Sequence, residues 1–260
     1  MSSNQALGVS EPPAREMPGI LKLAWPAVLG NLLYSTVAMV DIKIVGSLGA
    51  SAVAAVTTGN RIFFVFQAVI MAMSTGTTAM VARAWGAGDR DEAERITKVS
   101  VIVGATVGLL LSIPGVLFSD ALAAVFRLEA ETVAQASDFI FYLSFFNGSF
   151  AIAMILGTAI RAAGDTLTPL WLGAITNVVN VVLVYALVYG RLGAPELGVT
   201  GAAVATGTAF TLGALLSLLF WLKGWFLVGY ARRRSFSSER LRQLFKIGYP
   251  SGLEQGAVQL

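Results

Sequence analysis

The chain has 260 residues, 56% of them hydrophobic and only 13% charged, with a formal net charge of +3. A soluble domain carries about twice that charged fraction, and a mean hydropathy of +0.73 indicates a multi-span membrane protein. Cysteine and histidine are absent, which excludes a disulfide framework and thiolate, imidazole or zinc chemistry within these residues and leaves carboxylates as the natural proton carriers.

The first seventeen residues, MSSNQALGVSEPPAREM, are polar and proline-containing. They lack the basic start and apolar centre of a secretory signal, so residues 1–17 read as a disordered cytoplasmic tail. Six long apolar runs follow, each near or above the roughly 20 residues a helix needs to cross a bilayer. Helices are predicted near 20–46, 51–83, 92–118, 135–160, 169–190 and 201–229, separated by GSLGAS, WGAGDRDEA, RAAGDTLTP and GRLGAPELG. The alternating segments of about 10 residues that build a membrane barrel do not occur. Between the third and fourth runs, SDALAAVFRLEAETVA (119–134) is more polar and reads as a short interfacial helix.

GAGDRDEA (Gly86 to Ala93) resembles a phosphate loop only superficially, because it lacks the G-x-x-x-x-G-K-[ST] spacing and a preceding strand. It reads as a helix stop followed by an N-cap at Asp89, with Glu92 three residues on completing a capping box. Asp165, near Pro169, repeats the scheme.

With the N-terminus inside, fourteen of the eighteen Lys and Arg fall on or near cytoplasmic segments, leaving Lys43, Arg61, Arg127 and Arg191. That is the positive-inside pattern. It also makes ARRR (Ala231 to Arg234) a topology anchor against anionic lipid in preference to a nucleic-acid patch. LKLAWPAVLGN (Leu21 to Asn31) is echoed by FKIGYPSGLEQ (Phe245 to Gln255), with lysine, an aromatic residue and proline in register. Six helices lie between the copies, so both enter the membrane from the same side. That is the mark of a parallel repeat about an axis along the membrane normal, as found in secondary transporters. The fold class expected is an all-α membrane protein. Residues 18–230 form a six-helix N-terminal lobe, 231–246 a basic cytoplasmic linker, and 247–260 the start of a seventh helix in a protein of about twelve spans.

Inside the spans there is no paired carboxylate, nucleophile–base pair or metal set, so an enzyme is not expected. What remains is a thin set of polar residues. Asp41, within VDIKIVG (Val40 to Gly46), lies fifteen residues past Pro26, roughly 22 Å up a core about 30 Å thick. At that depth it is either an interfacial carboxylate or an intramembrane functional group. Lys43 points away from it and snorkels outward. Tyr34 shares the face of Asp41, and Arg61 is the candidate counter-charge. Thr176, Asn177 and Asn180 form a polar stripe on the fifth helix, which serves either as interhelical glue or as cavity lining. Met71, Met73, Met80, Phe63, Phe64 and Phe66 offer an apolar pocket wall, although plain packing is their commoner role.

LAWPAVLGNLL, VDIKIVGSLGA, VARAWGAGDRDEA, AIRAAGDTLTP, NVVNVVLVYALVYG, LGVTGAAVAT and KIGYPSGLEQ, in this order and topology, resemble the multidrug and toxic compound extrusion (MATE) family. The resemblance covers nearly everything from Leu21 onward. It implies a two-lobe secondary antiporter of the bacterial inner membrane that exports bulky, often cationic compounds in exchange for protons or sodium, without a cofactor. Its implied partners are membrane lipids, a small organic cationic or amphipathic substrate and the missing C-terminal lobe, with no nucleic acid.

In one branch of the family the N-terminal lobe carries the coupling-ion site. The resemblance assigns Asp41, Asn180 and Thr206 to three of its positions, while Gly157 and Val184 stand at the other two, where an asparagine and an aspartate would be expected. One carboxylate with an amide and a hydroxyl makes a poor sodium cage but an adequate protonation switch. Tyr34, Thr176, Asn177, Arg61 and Glu254 are the candidate substrate-cavity residues. The alternative functions are a lipid-linked oligosaccharide flippase of the same superfamily, which would want a more cationic cavity, and an inactive truncated product.

Overall fold

The computed structural model describes residues 20–231, 240, 242–244 and 246–247. Eight helices are formed among these residues: α1 (Ile20–Gly46), α2 (Ala50–Gly86), α3 (Arg90–Leu117), α4 (Ser119–Ala124), α5 (Ala130–Ser144), α6 (Asn147–Ala162), α7 (Leu167–Tyr189) and α8 (Gly198–Leu222). Five are long and apolar enough to cross a membrane, and α5 with α6 passes the same test as a pair bent by 55°. Five of the six expected spans are single helices, and the count of six is reached when the bent pair is taken as one broken span.

That break corrects the straight fourth helix expected over 135–160. The chain Phe145–Phe146 carries no proline or glycine; the bend is seated by neighbours. Gly108 on α3 lies so close that a Cβ there would meet the Asn147 carbonyl oxygen at 2.7 Å, and Gly207 on α8 leaves room for the ring of Phe146. Inside the bend the Asn147 side-chain amide donates to the Ser144 carbonyl at 3.2 Å, recovering one backbone acceptor that the interrupted ladder leaves free. The interfacial helix expected over 119–134 is also shorter: α4 covers only Ser119–Ala124, and residues from Ala130 belong to α5.

The helix ends follow local chemistry. Asp89 caps α3 by accepting from the Glu92 backbone N–H at 2.9 Å. The capping box does not close, because the Glu92 carboxylate instead holds Arg240, with Nε to Oε1 at 2.6 Å and Nη2 to Oε2 at 2.7 Å. Asp165 accepts from the N–H groups of Leu167 and Thr168 at the start of α7, as expected of a cap. α7 ends on Gly190 in the left-handed conformation (φ 63°), which costs least without a side chain. The sixth span, expected to run to 229, stops at Leu222, and Gly224 (φ 72°) turns the chain. Residues 225–231 then lie back on the lobe: the Trp221 indole donates to the Gly229 carbonyl at 3.1 Å, and Lys98 Nζ to the Ala231 carbonyl at 2.8 Å.

In the lobe α2 packs on α3, α5 and α6, α8 on α5, α6 and α7, and α1 leans on α7 with a lighter contact to α2. The main apolar core joins Phe63, Phe139, Ile140 and Leu143 to Val184, Val188 and the alanines of α8. Met73 and Met80 belong to a second core with Val81 and Ile96, so those methionines are buried in packing. The tail 1–17, the residues 232–239 within the linker and nearly all of 247–260 lie outside the described residues, as does most of the second repeat copy.

Candidate functional site

α1 is exposed along most of its length, yet its outer half is fastened to α7. Asn180 Nδ2 donates to Asp41 Oδ2 at 3.0 Å. One turn beyond Asp41, Ile44 and Val45 pack with Val184 and Val188 in an apolar layer. Beyond that, the Tyr189 hydroxyl donates to the Ile44 carbonyl at 3.1 Å and lies 2.7 Å from Ser47 Oγ. Asp41 is thus half-buried, held by an amide on its inner side and sealed by valines on its outer side.

The Asp41–Asn180 pair opens into a cavity of about 330 Å³ between α1, α2, α5, α7 and α8. Tyr34, Thr176, Asn177, Asn180 and Thr206 all line it with Asp41. The structure therefore brings together the polar stripe of α7 read from the sequence and the hydroxyl of Thr206 on α8 that the family resemblance implies. Thr176 spends its hydroxyl proton on the backbone carbonyls of Leu172 and Gly173, both 3.0 Å away. On the far wall Phe63 and Phe210 stack at 6.0 Å, with Phe150 edge-on to Phe210 at 5.1 Å.

Two oxygens of this pair stand out. Asp41 Oδ1 and Asn180 Oδ1 are buried and have no hydrogen-bond partner among the described residues. A buried acceptor without a donor is costly, so the pair is chemically set to receive a proton or a cation, with Thr206 as a further oxygen. Val184 lines the same wall and adds no ligand. Gly157 lies elsewhere, in a small cavity of about 120 Å³ beside Arg161, Thr176 and Ser217.

One expectation is corrected, one is met and one falls outside the described residues. Arg61 is not the counter-charge of Asp41: it lines an adjoining cleft with Thr57 and Val53, and no ion pair to Asp41 forms among the described residues. Lys43 is exposed, as its position two residues from Asp41 requires. Glu254 lies outside the described residues. Sequence reasoning missed Asn60 and Gln67, which line the cavity from α2. Their spacing of seven residues puts them on one helix face with Phe63 and Phe64, and that was the available signal.

A bundle of apolar, membrane-length helices around a polar and aromatic cavity defines a multi-pass helical membrane protein. The MatE family model matches residues 26–186, more than half of the chain, and the chain belongs to that family. It is 32% identical over 249 residues to a probable multidrug resistance protein NorM of Thermotoga maritima, covering 93% of this chain and 53% of that protein. A second protein of the same description, from Bradyrhizobium diazoefficiens, is 32% identical over 247 residues, covering 91% and 49%. In fold the chain is similar to a MOP superfamily transporter from Pyrococcus furiosus, with a TM-score of 0.84 at 24% identity over 90% of this chain and 52% of that one. It is also similar to an outward-facing multidrug resistance MATE family transporter, with a TM-score of 0.81 at 24% identity over the same shares. The chain spans about half the length of these relatives.

Proposed function

We propose that the chain is the N-terminal lobe of a proton-coupled antiporter that exports bulky organic cations or amphipathic compounds across a bacterial inner membrane. Alternating access would then come from its rocking against a second lobe, with the N-terminus in the cytoplasm. The observation that carries this reading is the buried Asp41–Asn180 pair in the wall of the cavity, with one hydrogen bond between them and, among the described residues, two unsatisfied oxygens.

A carboxylate there, ionised, is a counter-charge for an organic cation. Protonated, it releases that cation and satisfies its own free oxygen. One site thus exchanges the two charges, which is what antiport requires. The aromatic wall of Phe63 and Phe210 supports a flat apolar cation, while one carboxylate, amide oxygens and a hydroxyl are a thin set for dehydrating sodium. The names of the NorM relatives support drugs as the substrate class, and the distribution of Lys and Arg supports the orientation.

The test is ethidium export by the full-length protein in vesicles under an imposed proton gradient, comparing wild type with Asp41→Asn. Loss of export at normal expression is expected. Unchanged export would move the coupling site to the other lobe.

A further inference from the structure

Arg61 stands eleven residues after Ala50, the first residue of α2, about 17 Å along the helix at 1.5 Å per residue. It is exposed to a cleft of about 280 Å³ closed by Ile42 and Val45 of α1, and among the described residues no acidic group pairs with it. This cleft adjoins the Asp41 cavity: Ile42, Val45, Val56, Asn60 and Phe64 line both. The result is one elongated site. A carboxylate with amides marks one end, a guanidinium the other, and Ile42, Val45, Val56 and Phe64 form an apolar middle.

An ionisable group at membrane depth that faces a cavity is there to meet charge, and the planar fork of arginine matches a carboxylate in two parallel hydrogen bonds. The lining also fixes what spans the site: an apolar scaffold, since only Asn60 among the shared residues is polar. We propose that Arg61 is an anion subsite that takes the carboxylate of an amphipathic zwitterion whose cationic group lies toward Asp41. This rests on the export reading and sharpens it, because a zwitterion satisfies both unpaired charges while a simple cation leaves the guanidinium unmatched.

Rhodamine 19 and its ethyl ester, rhodamine 6G, test it: they share one cationic ring system and differ in a free carboxylate. In phosphatidylcholine vesicles holding the full-length protein, Arg61→Gln is expected to raise the KM for rhodamine 19 about tenfold and to leave that for rhodamine 6G within twofold. Arg61→Lys, which keeps the charge and loses the fork, should change rhodamine 19 about threefold. It carries the comparison if the glutamine variant fails to fold.

Equal changes for both dyes, or none for rhodamine 19, overturn the assignment. Equilibrium dialysis of the two dyes against the protein in nanodiscs makes the same comparison without transport. Failure of the export reading then shows as selective binding without proton-driven flux, and failure of this inference as flux without charge selectivity. If the preference is lost only when phosphatidylglycerol is added to the vesicles, the guanidinium holds a lipid phosphate and the substrate assignment falls.

Discussion

Asn180 offers one hydrogen to Asp41 at 3.0 Å while its own oxygen is buried without a donor among the described residues, so the amide both holds the carboxylate and stands beside it as an acceptor. Replacing it by leucine removes the hold and leaves a half-buried carboxylate without its donor, at a cost of about 1–3 kcal/mol. Asn180→Leu in the full-length protein should lower the thermal midpoint and slow proton-driven export about tenfold, which corresponds to about 1.4 kcal/mol. Because the two residues act on each other, Asp41→Asn with Asn180→Leu should cost less than the sum of the single changes. Strict additivity in both readouts would show that the contact does not couple them.

The bend in the fourth span gives a second expectation. A methyl group on Gly108 would meet the Asn147 carbonyl oxygen at 2.7 Å and Gly148 Cα at 3.0 Å. Both are backbone, so no rotamer change relieves the contact. Gly108→Ala should destabilise the protein by about 1–3 kcal/mol, the usual cost of overpacking. Gly173→Ala on α7, with nothing within 4 Å of the added carbon, is the matched control. It should be neutral or stabilising by up to about 1 kcal/mol through helix propensity. Thermal unfolding of the two purified variants checks both, and a stable Gly108→Ala protein would mean that α3 and α6 slide apart without penalty.

These two sites also show what the sequence made legible and what it hid. The extent of α1 and the two Asp-capped turns were readable because hydropathy and capping are local. The stripe of Thr176, Asn177 and Asn180 could be drawn on one helix face, but whether it was glue or cavity lining depended on where α1 and α8 came to rest. The break at Phe145–Phe146 was not readable, since nothing in those residues breaks a helix. Its cause is the space left by Gly108 and Gly207 on two other helices. Arg61 was misplaced for a similar reason. Charge sign suggested a partner for Asp41, whereas the packing of α1 against α2 puts Arg61 in an adjoining cleft lined by Ile42 and Val45.

The outer fastening of α1 is a polar contact at the end of a helix that is otherwise lightly packed. Tyr189→Phe keeps the ring, and hence its edge contact with Tyr185 at 5.3 Å, while deleting the bond to the Ile44 carbonyl and the contact with Ser47. A net loss of about 1 kcal/mol is expected, concentrated where the bonds were. Amide hydrogen exchange should therefore speed up at Ser47 and Leu48, whose N–H groups close the last turn of α1 on Ile44 and Val45. α3 should be unaffected. Faster exchange spread evenly over the lobe would contradict a local latch.

Glu92 and Arg240 form a two-pronged ion pair that joins the start of α3 to the segment leading out of the lobe, at 2.6 and 2.7 Å. Their side chains are 30% and 21% exposed, so water screens the pair in part. Its worth belongs near the upper end of the surface range, about 1 kcal/mol, raised by the bidentate geometry. A double-mutant cycle of Glu92→Gln and Arg240→Gln isolates that figure from whatever else either side chain touches. The coupling should shrink in 1 M salt, where the screening length is about 3 Å. Arg240→Lys should recover less than half of it, since an ammonium cannot bridge both oxygens as the fork does. A coupling that survives high salt unchanged would assign the contact to packing of the two side chains instead of to their charges.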